Sequence, residues 1–325
     1  MNRHSALWCC AVALVLMAAV RLSAAALAGA GPLSLLIFAQ TGRAPEITAP
    51  ATEPTYNFTE PTQITQPTQR EDPPAAVLSF SADSLQAVKM RYGCDLRPDL
   101  GALLTGSLTW DLKQEAPTVL ILHTHGTESY QGVYQEWVSG RTTDPEHNML
   151  CLGRELARVL ELGGIRVIRD TQLHDYPSYN TAYSSARKSI QAYLEEYPSI
   201  RLVLDLHRDA SDDRENPMTT HGTVEGQPSS QLMFVVGTDA GGLYHPDWQE
   251  NLALALKLTV LLEAEDPGIT RGISLREERF NMDLTPGSLL VEVGAVGDTK
   301  EEALLAVNAL ARAILTLAAG AEGVS

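Results

Sequence analysis

Four stretches of this chain are apolar at nearly every position over the length of a strand: TVLIL before His123, RLVLDL, QLMFVVG and SLLVEVG. A strand with one wet face alternates apolar and polar residues. A run that is apolar throughout must be covered on both faces. Between these runs lie segments of helical period, NMLCLGRELARVLELGG, SSARKSIQAYLEEYP, WQENLALALKLTVLLEAE and TKEEALLAVNALARAILTLAAG. IRVIRD adds a shorter strand after the first of them, and SADSLQAVKMRYG reads as a short helix ahead of them all. Alternating strands and helices predict a three-layer α/β fold, a mostly parallel sheet flanked by helices.

What precedes this pattern has another composition. Residues 1–41 contain ALWCCAVALVLMAAV, with Arg3 and His4 before it and Arg21 after it. A cleaved signal peptide and an uncleaved single-pass anchor both fit, and we read it as an anchor. Either leaves the positive end inside and the rest outside the membrane. Residues 42–75 are rich in Pro and Thr and lack any period, as in an extended spacer. Residues 76–115 read as a short N-terminal extension, and 116–320 as the main domain. The net charge of −16 excludes nucleic acid, whose phosphates need clustered Lys and Arg. Outside the apolar segment only Cys94 and Cys151 remain. They read as buried thiols, with a single bridge between them possible in an exported domain.

Three of the apolar strands run into groups that bind metal or move protons. The first gives His123, His125 and Glu128, the next Asp205, His207, Arg208 and Asp209, and the last holds Glu292 inside LLVEVG. In open α/β sheets ligands gather at the C-terminal ends of strands, so these groups are expected in one crevice. Catalytic zinc takes three protein ligands, His nitrogens with or without a carboxylate, and leaves one position for water. One of His123 and His125, with Glu128 and His207, would supply the ligands. Glu292 is then the general acid/base, since a buried carboxyl needs a partner or a task. Two loops, HDYPSYNTAYSSAR and RFNMDLTPGS, offer His174, Tyr176, Tyr179, Asn281 and Asp283 as contacts for a polar ligand. Asp209 joins them as a substrate contact.

HTHGTESY, HDYPSY, VLDLHRDA, FVVGTD, HPDWQENL and NMDLTPGSLLVEVGAVGDTKEEAL, in this order, resemble the stage II sporulation protein P family over roughly residues 77–317. That family is similar in fold to zinc-dependent N-acetylmuramoyl-L-alanine amidases. The resemblance implies a zinc peptidoglycan hydrolase, an amidase that also cuts peptide cross-links. It implies action between two membranes during engulfment, alongside a lytic transglycosylase and a membrane-protein partner. Its motifs fall on His123, His125 and Glu128, on Asp205, His207, Arg208 and Asp209, and on Glu292. Arg208 would steady the oxyanion or hold Glu292. The general amidases take their ligand carboxylate later in the chain, which leaves Glu146 as the alternative to Glu128. The chain departs from the pattern at Met282, where Gln is expected. Two other functions compete: an exported zinc peptidase acting on peptides only, and a wall-binding module without catalysis.

Overall fold

The structure is a computed structural model that describes residues 80–108, 111–131, 140–211 and 215–321. The expected anchor (1–41) and spacer (42–75) lie outside these residues. Along the chain run β1 (Met90–Tyr92), α1 (Leu100–Thr105), β2 (Val119–Leu122), α2 (Met149–Leu162), β3 (Val167–Arg169), α3 (Ala182–Glu196) and β4 (Leu202–Asp209). A hairpin of β5 (Gly222–Val224) and β6 (Gln227–Ser229) follows, then β7 (Leu232–Gly237), α4 (Trp248–Glu265), β8 (Thr270–Arg276), β9 (Ser288–Ala295) and α5 (Lys300–Ala321). Seven strands form one sheet in the order β1-β8-β7-β9-β4-β2-β3. Every neighbouring pair is parallel except β7 with β9.

The expected mixed α/β fold with a mostly parallel sheet is present, with differences at the edges. SADSLQAVKMRYG is not one helix: a 3-10 turn at Ala82–Ala87 gives way to β1. β8 escapes the apolar-run criterion because TRGISLR mixes apolar with charged and small residues. The residues of the N-terminal extension join the sheet through β1 and the core through Leu104 and Leu112.

The sheet's two faces are unlike. On one, Leu204, Leu206, Phe234, Val236, Ile273, Leu289 and Val291 pack with residues of α1, α2, α4 and α5. α5 is long and apolar enough to cross a membrane, but more than half of it is buried in this core. On the other face α3 covers only the β2–β4 side, where Leu120, Leu122 and Val203 meet Ala186 and Ile190. Beyond it Met233, Val235 and Leu290 pack with Met282 and Phe280. Among the described residues the helical layer stops there, and the sheet over β9, β7, β8 and β1 forms the floor of a cavity.

β1 closes the sheet by a narrow contact. Ile273 N–H donates to the Lys89 carbonyl and Gly93 N–H to the Leu275 carbonyl. Gly272 permits this approach: its φ is +91°, and a Cβ there would collide with the Lys89 carbonyl oxygen. Gly272→Ala is expected to loosen β1 and destabilise the fold by about 2 kcal/mol. A lower Tm, with amide exchange accelerated at 89–93 more than in β4, would show it.

Candidate active site

The cavity holds about 630 Å³ and is lined by His125, Glu128, His207, Asp209 and Glu292, with Arg141, Arg208, Tyr179 and Tyr183 around them. Strand parity explains the set. Val203, Asp205 and His207 share one face of β4, and Leu290 and Glu292 share the same face of β9. Parallel register puts His207 directly beside Glu292.

Parity alone would put His123 and His125 on one face; the turn that begins after β2 parts them. His123 follows Val119 and Ile121 onto the α2 side of the sheet. Its Nδ1 lies 3.2 Å from the Leu206 carbonyl, and Nε2 abuts Gly153 of α2, where a Cβ would overlap the ring. Burial lowers its pKa to about 4. His123 therefore does not reach the cavity, which corrects its placing among the possible ligands. His125 lies in the turn after β2 and does reach it. This turn is held by two buried carboxylates. Asp205 accepts from Thr124 N–H (2.7 Å) and Oγ1 (2.6 Å), and Asp175 from Thr127 Oγ1 (2.6 Å). The His125 ring stacks on Tyr179 at 4.4 Å and meets Tyr183 and His207 edge-on.

The charges are arranged for a cation. Glu128 Oε2 lies 3.5 Å from His207 Nδ1, and Asp205 Oδ1 lies 3.0 Å from His207 Nε2. That second contact is off the hydrogen-bonding direction, and Nε2 has no hydrogen-bond partner. Burial disfavours a charge on His207, but Asp205 and Glu128 outweigh it and hold the pKa well above the usual value. Glu128 is pulled the other way: burial would raise its pKa, yet His207, Arg208 and Arg141 bring it to about 2. An imidazolium between two carboxylates occupies a place suited to a positive ion. His125 is neutral, its pKa lowered to about 4 chiefly by burial, and its buried Nδ1 has no hydrogen-bond partner. Two imidazoles and a carboxylate on one wall are a zinc donor set. Two donors held at about 2.1 Å in a tetrahedron stand about 3.4 Å apart, close to the observed Glu128–His207 separation. Among the described residues no three such side chains already stand in a coordinating array.

Glu292 differs from Glu128. Its Oε2 is buried without a hydrogen-bond partner, and burial raises its pKa to about 8. Arg208 does not hold it. The Arg208 Nε donates to the Ser129 carbonyl (3.1 Å) and Nη2 to that of Gly140 (2.8 Å), and Nη1 lies 3.5 Å from Glu128 Oε1. The pairing of Arg208 with Glu292 is thus corrected to one with Glu128.

Other expected residues lie outside the cavity. Glu146 makes a surface pair with Arg154 at 2.6 and 2.7 Å. His174 is buried in a relay, Nε2 at 2.9 Å from Asp170 Oδ2 and Nδ1 at 2.9 Å from Ser185 Oγ, which pins its loop to α3. Tyr176 is exposed and does not line the cavity. Asn281 and Asp283 tie the loop before β9 to α3 through Tyr183 and Arg187. They place Phe280 and Tyr183 rather than line the cavity. Asp209 lines it but is paired with Arg271 at 2.9 Å. Met282 is buried, its sulfur accepting from Gly237 N–H, so it packs beneath the cavity. Cys94 and Cys151 are free thiols. Sequence reasoning missed Arg141, which donates to Asp175 (2.6 Å) and Glu128 (3.2 Å) and lies over the Tyr179 ring. Its loop gives no periodic signal that could have found it.

The sequence profile described as Stage II sporulation protein P (SpoIIP) matches residues 44–315. The chain belongs to the stage II sporulation protein P family. It is 28% identical over 210 residues to Stage II sporulation protein P of Bacillus subtilis (strain 168), a match covering 59% of this chain and 49% of that protein. The chain thus spans about half the length of this curated relative. Among solved structures it is similar to an N-acetylmuramoyl-L-alanine amidase from Clostridium difficile 630 (18% identity, TM-score 0.38, 63% of this chain and 95% of that one). It is also similar to the CwlD amidase of Clostridioides difficile, solved in complex with the GerS lipoprotein (17%, 0.38, 64% and 100%). Likeness at that level carries no argument about the site.

Glu292 gives a test that needs no turnover. Its folded pKa is raised, so its contribution to stability is full below the unfolded value and is lost as pH rises through about 8. In metal-free protein, Glu292→Gln is expected to match wild type near pH 5. Above pH 8 it should gain on the order of 1–3 kcal/mol. Thermal melts across that range would reveal the crossing; parallel curves would contradict it.

Proposed function

We propose that this chain is a zinc-dependent peptidoglycan hydrolase. It would cleave the amide between the lactyl group of N-acetylmuramic acid and L-alanine, and also peptide cross-links. What carries the reading is Glu292, whose Oε2 is buried without a hydrogen-bond partner, facing the same cavity as His125, Glu128 and His207. In the wall during engulfment, the N-terminal segment would act as the membrane anchor. A lytic transglycosylase and a membrane protein would be its partners.

His125, Glu128 and His207 would hold the zinc. When bound, it supplies a water of lowered pKa and polarises the scissile carbonyl. The chain's own groups do the rest. Asp205 and Asp175 fix the turn that carries His125 and Glu128. Arg141 and Arg208 hold Glu128 ionised and oriented, and Arg208 anchors the 129–140 loop ends. Glu292 takes a proton from the attacking water and returns it to the departing amine. Its high pKa suits the donating half of that task at neutral pH, and a dication nearby would lower it toward the accepting half. Tyr179 and Tyr183 brace the His125 ring from two sides.

The test is a digest of purified peptidoglycan by the purified full-length chain, with and without EDTA, and mass spectrometry of the products. Release of stem peptides with a free L-alanine amine, abolished by EDTA, is expected. Products cut only within peptides would favour an exported peptidase. Zinc content separates the roles of the residues. Glu292→Gln should retain zinc and lose at least about 100-fold in turnover, whereas His207→Ala should lose both. Wild-type turnover by Glu292→Gln would remove it as the acid/base.

A further inference from the structure

The cavity is uneven in charge. In a chain of net charge −16, four arginines line it: Arg91, Arg141, Arg208 and Arg276. Arg141 and Arg208 are engaged around Glu128. The other two stand at the far end of the trough, on β1 and β8. Arg91 makes no hydrogen bond or ion pair among the described residues. Arg276 has one acidic neighbour, Glu278, with both contacts at 3.3 Å and both side chains exposed. A pair this exposed is readily exchanged for a better-placed anion. Gly93 leaves the Arg276 stem room, since a Cβ there would stand 3.0 Å from Arg276 Cδ.

Register fixes their position. Leu290, Val235, Ser274 and Arg91 form one row across β9, β7, β8 and β1. Glu292 lies two residues along β9 from that row. With strands about 4.8 Å apart and about 3.3 Å per residue, Arg91 and Arg276 each lie about 16 Å from Glu292 on the backbone, and about 8 Å from one another. Two guanidinium groups at that spacing can share one carboxylate. An extended peptide advances roughly 3.3–3.6 Å per residue. Allowing for the reach of the arginine side chains, the gap is about three to four residues.

We propose that Arg91 and Arg276, with Ser274 between them, form a carboxylate subsite. It grips the acidic peptide stem of the substrate three to four residues from the bond that is cut. This rests on the reading of the cavity as a peptidoglycan-cleaving site. The subsite selects stems that carry a free carboxylate at this distance over stems in which it is amidated. β1 is therefore part of the binding surface and not only the edge of the sheet.

Binding without turnover tests this apart from catalysis. Two labelled muramyl tetrapeptides, both amidated at the C-terminus and alike except for a carboxylate or a carboxamide at the third residue, are titrated with the full-length protein in EDTA. Fluorescence anisotropy reads Kd. The carboxylate ligand is expected to bind about 5- to 10-fold tighter at low salt, an advantage that shrinks as salt rises. Arg91→Ala and Arg276→Ala should each cut the preference to within about 2-fold, and Arg91→Glu should turn it toward the carboxamide. Arg158→Ala, on the outer surface of α2, should keep it. Equal binding of the two ligands, no binding of either, or a preference that survives both arginine substitutions overturns the subsite. A retained preference with no cleavage in the digest would leave the subsite standing and remove the hydrolase reading instead.

Discussion

The lateral pairing of β4 with β9 sets the terms for the rest of the site. It places His207 and Glu292 side by side on a buried sheet face, where neither a charge nor an unpaired carboxyl is tolerated without cause. The charge on His207 is balanced by Asp205 and Glu128. Glu128 in turn requires Arg141 and Arg208, and Asp205 requires the Thr124 hydroxyl and amide. The turn after β2 is shaped by these demands. Glu292 is left out of the network, and its exclusion separates its proton affinity from that of Glu128 within one cavity. Two carboxyls with opposed environments are the usual basis for dividing binding from proton transfer.

The asymmetric coating of the sheet matters as much. Four helices bury one face almost wholly, and α3 covers the other only across β2 to β4. An ordinary three-layer fold would cover the whole second face. Here, among the described residues, no helix covers the floor, where apolar Met233, Val235 and Leu290 lie beside polar Glu292, Ser274, Arg276 and Arg91. The loop from Arg279 to Gly287 borders it, fastened to α3 by the Arg187–Asp283 and Asn281–Tyr183 contacts. Polar residues in that loop hold its shape and so decide where Phe280 and Tyr183 stand.

Much of this was legible in the chain, in proportion to how strongly one force dominated. The apolar runs of β2, β4, β7 and β9 announced a buried sheet because burial alone explains them. β1 and β8 did not, since their cavity side carries Arg91, Ser274 and Arg276 and dilutes the signal. The Glu128, His207 and Glu292 grouping followed from strand ends. The period of two, counted back to Ile121, gives His123 and His125 the same face, so only the turn after Leu122 separates them, and that turn is built by Asp205 and Asp175 from far along the chain. His174, Asn281 and Asp283 were read as ligand contacts because loop polar residues look alike in sequence. Only partners far along the chain, such as Asp170 or Arg187, reveal them as braces. Arg141 gave no sign, since its meaning lies wholly in where its loop returns.

The close fit of His123 against Gly153 has a consequence for how such chains can change. The two positions occupy a single volume: the imidazole fills the space that any side chain on α2 would need. A drift to alanine or serine at 153 is blocked while histidine remains at 123, and a smaller residue at 123 opens a void unless 153 grows to fill it. These two sites, thirty residues apart in the chain, are thus joined as one unit of inheritance, free to vary together and hardly at all alone.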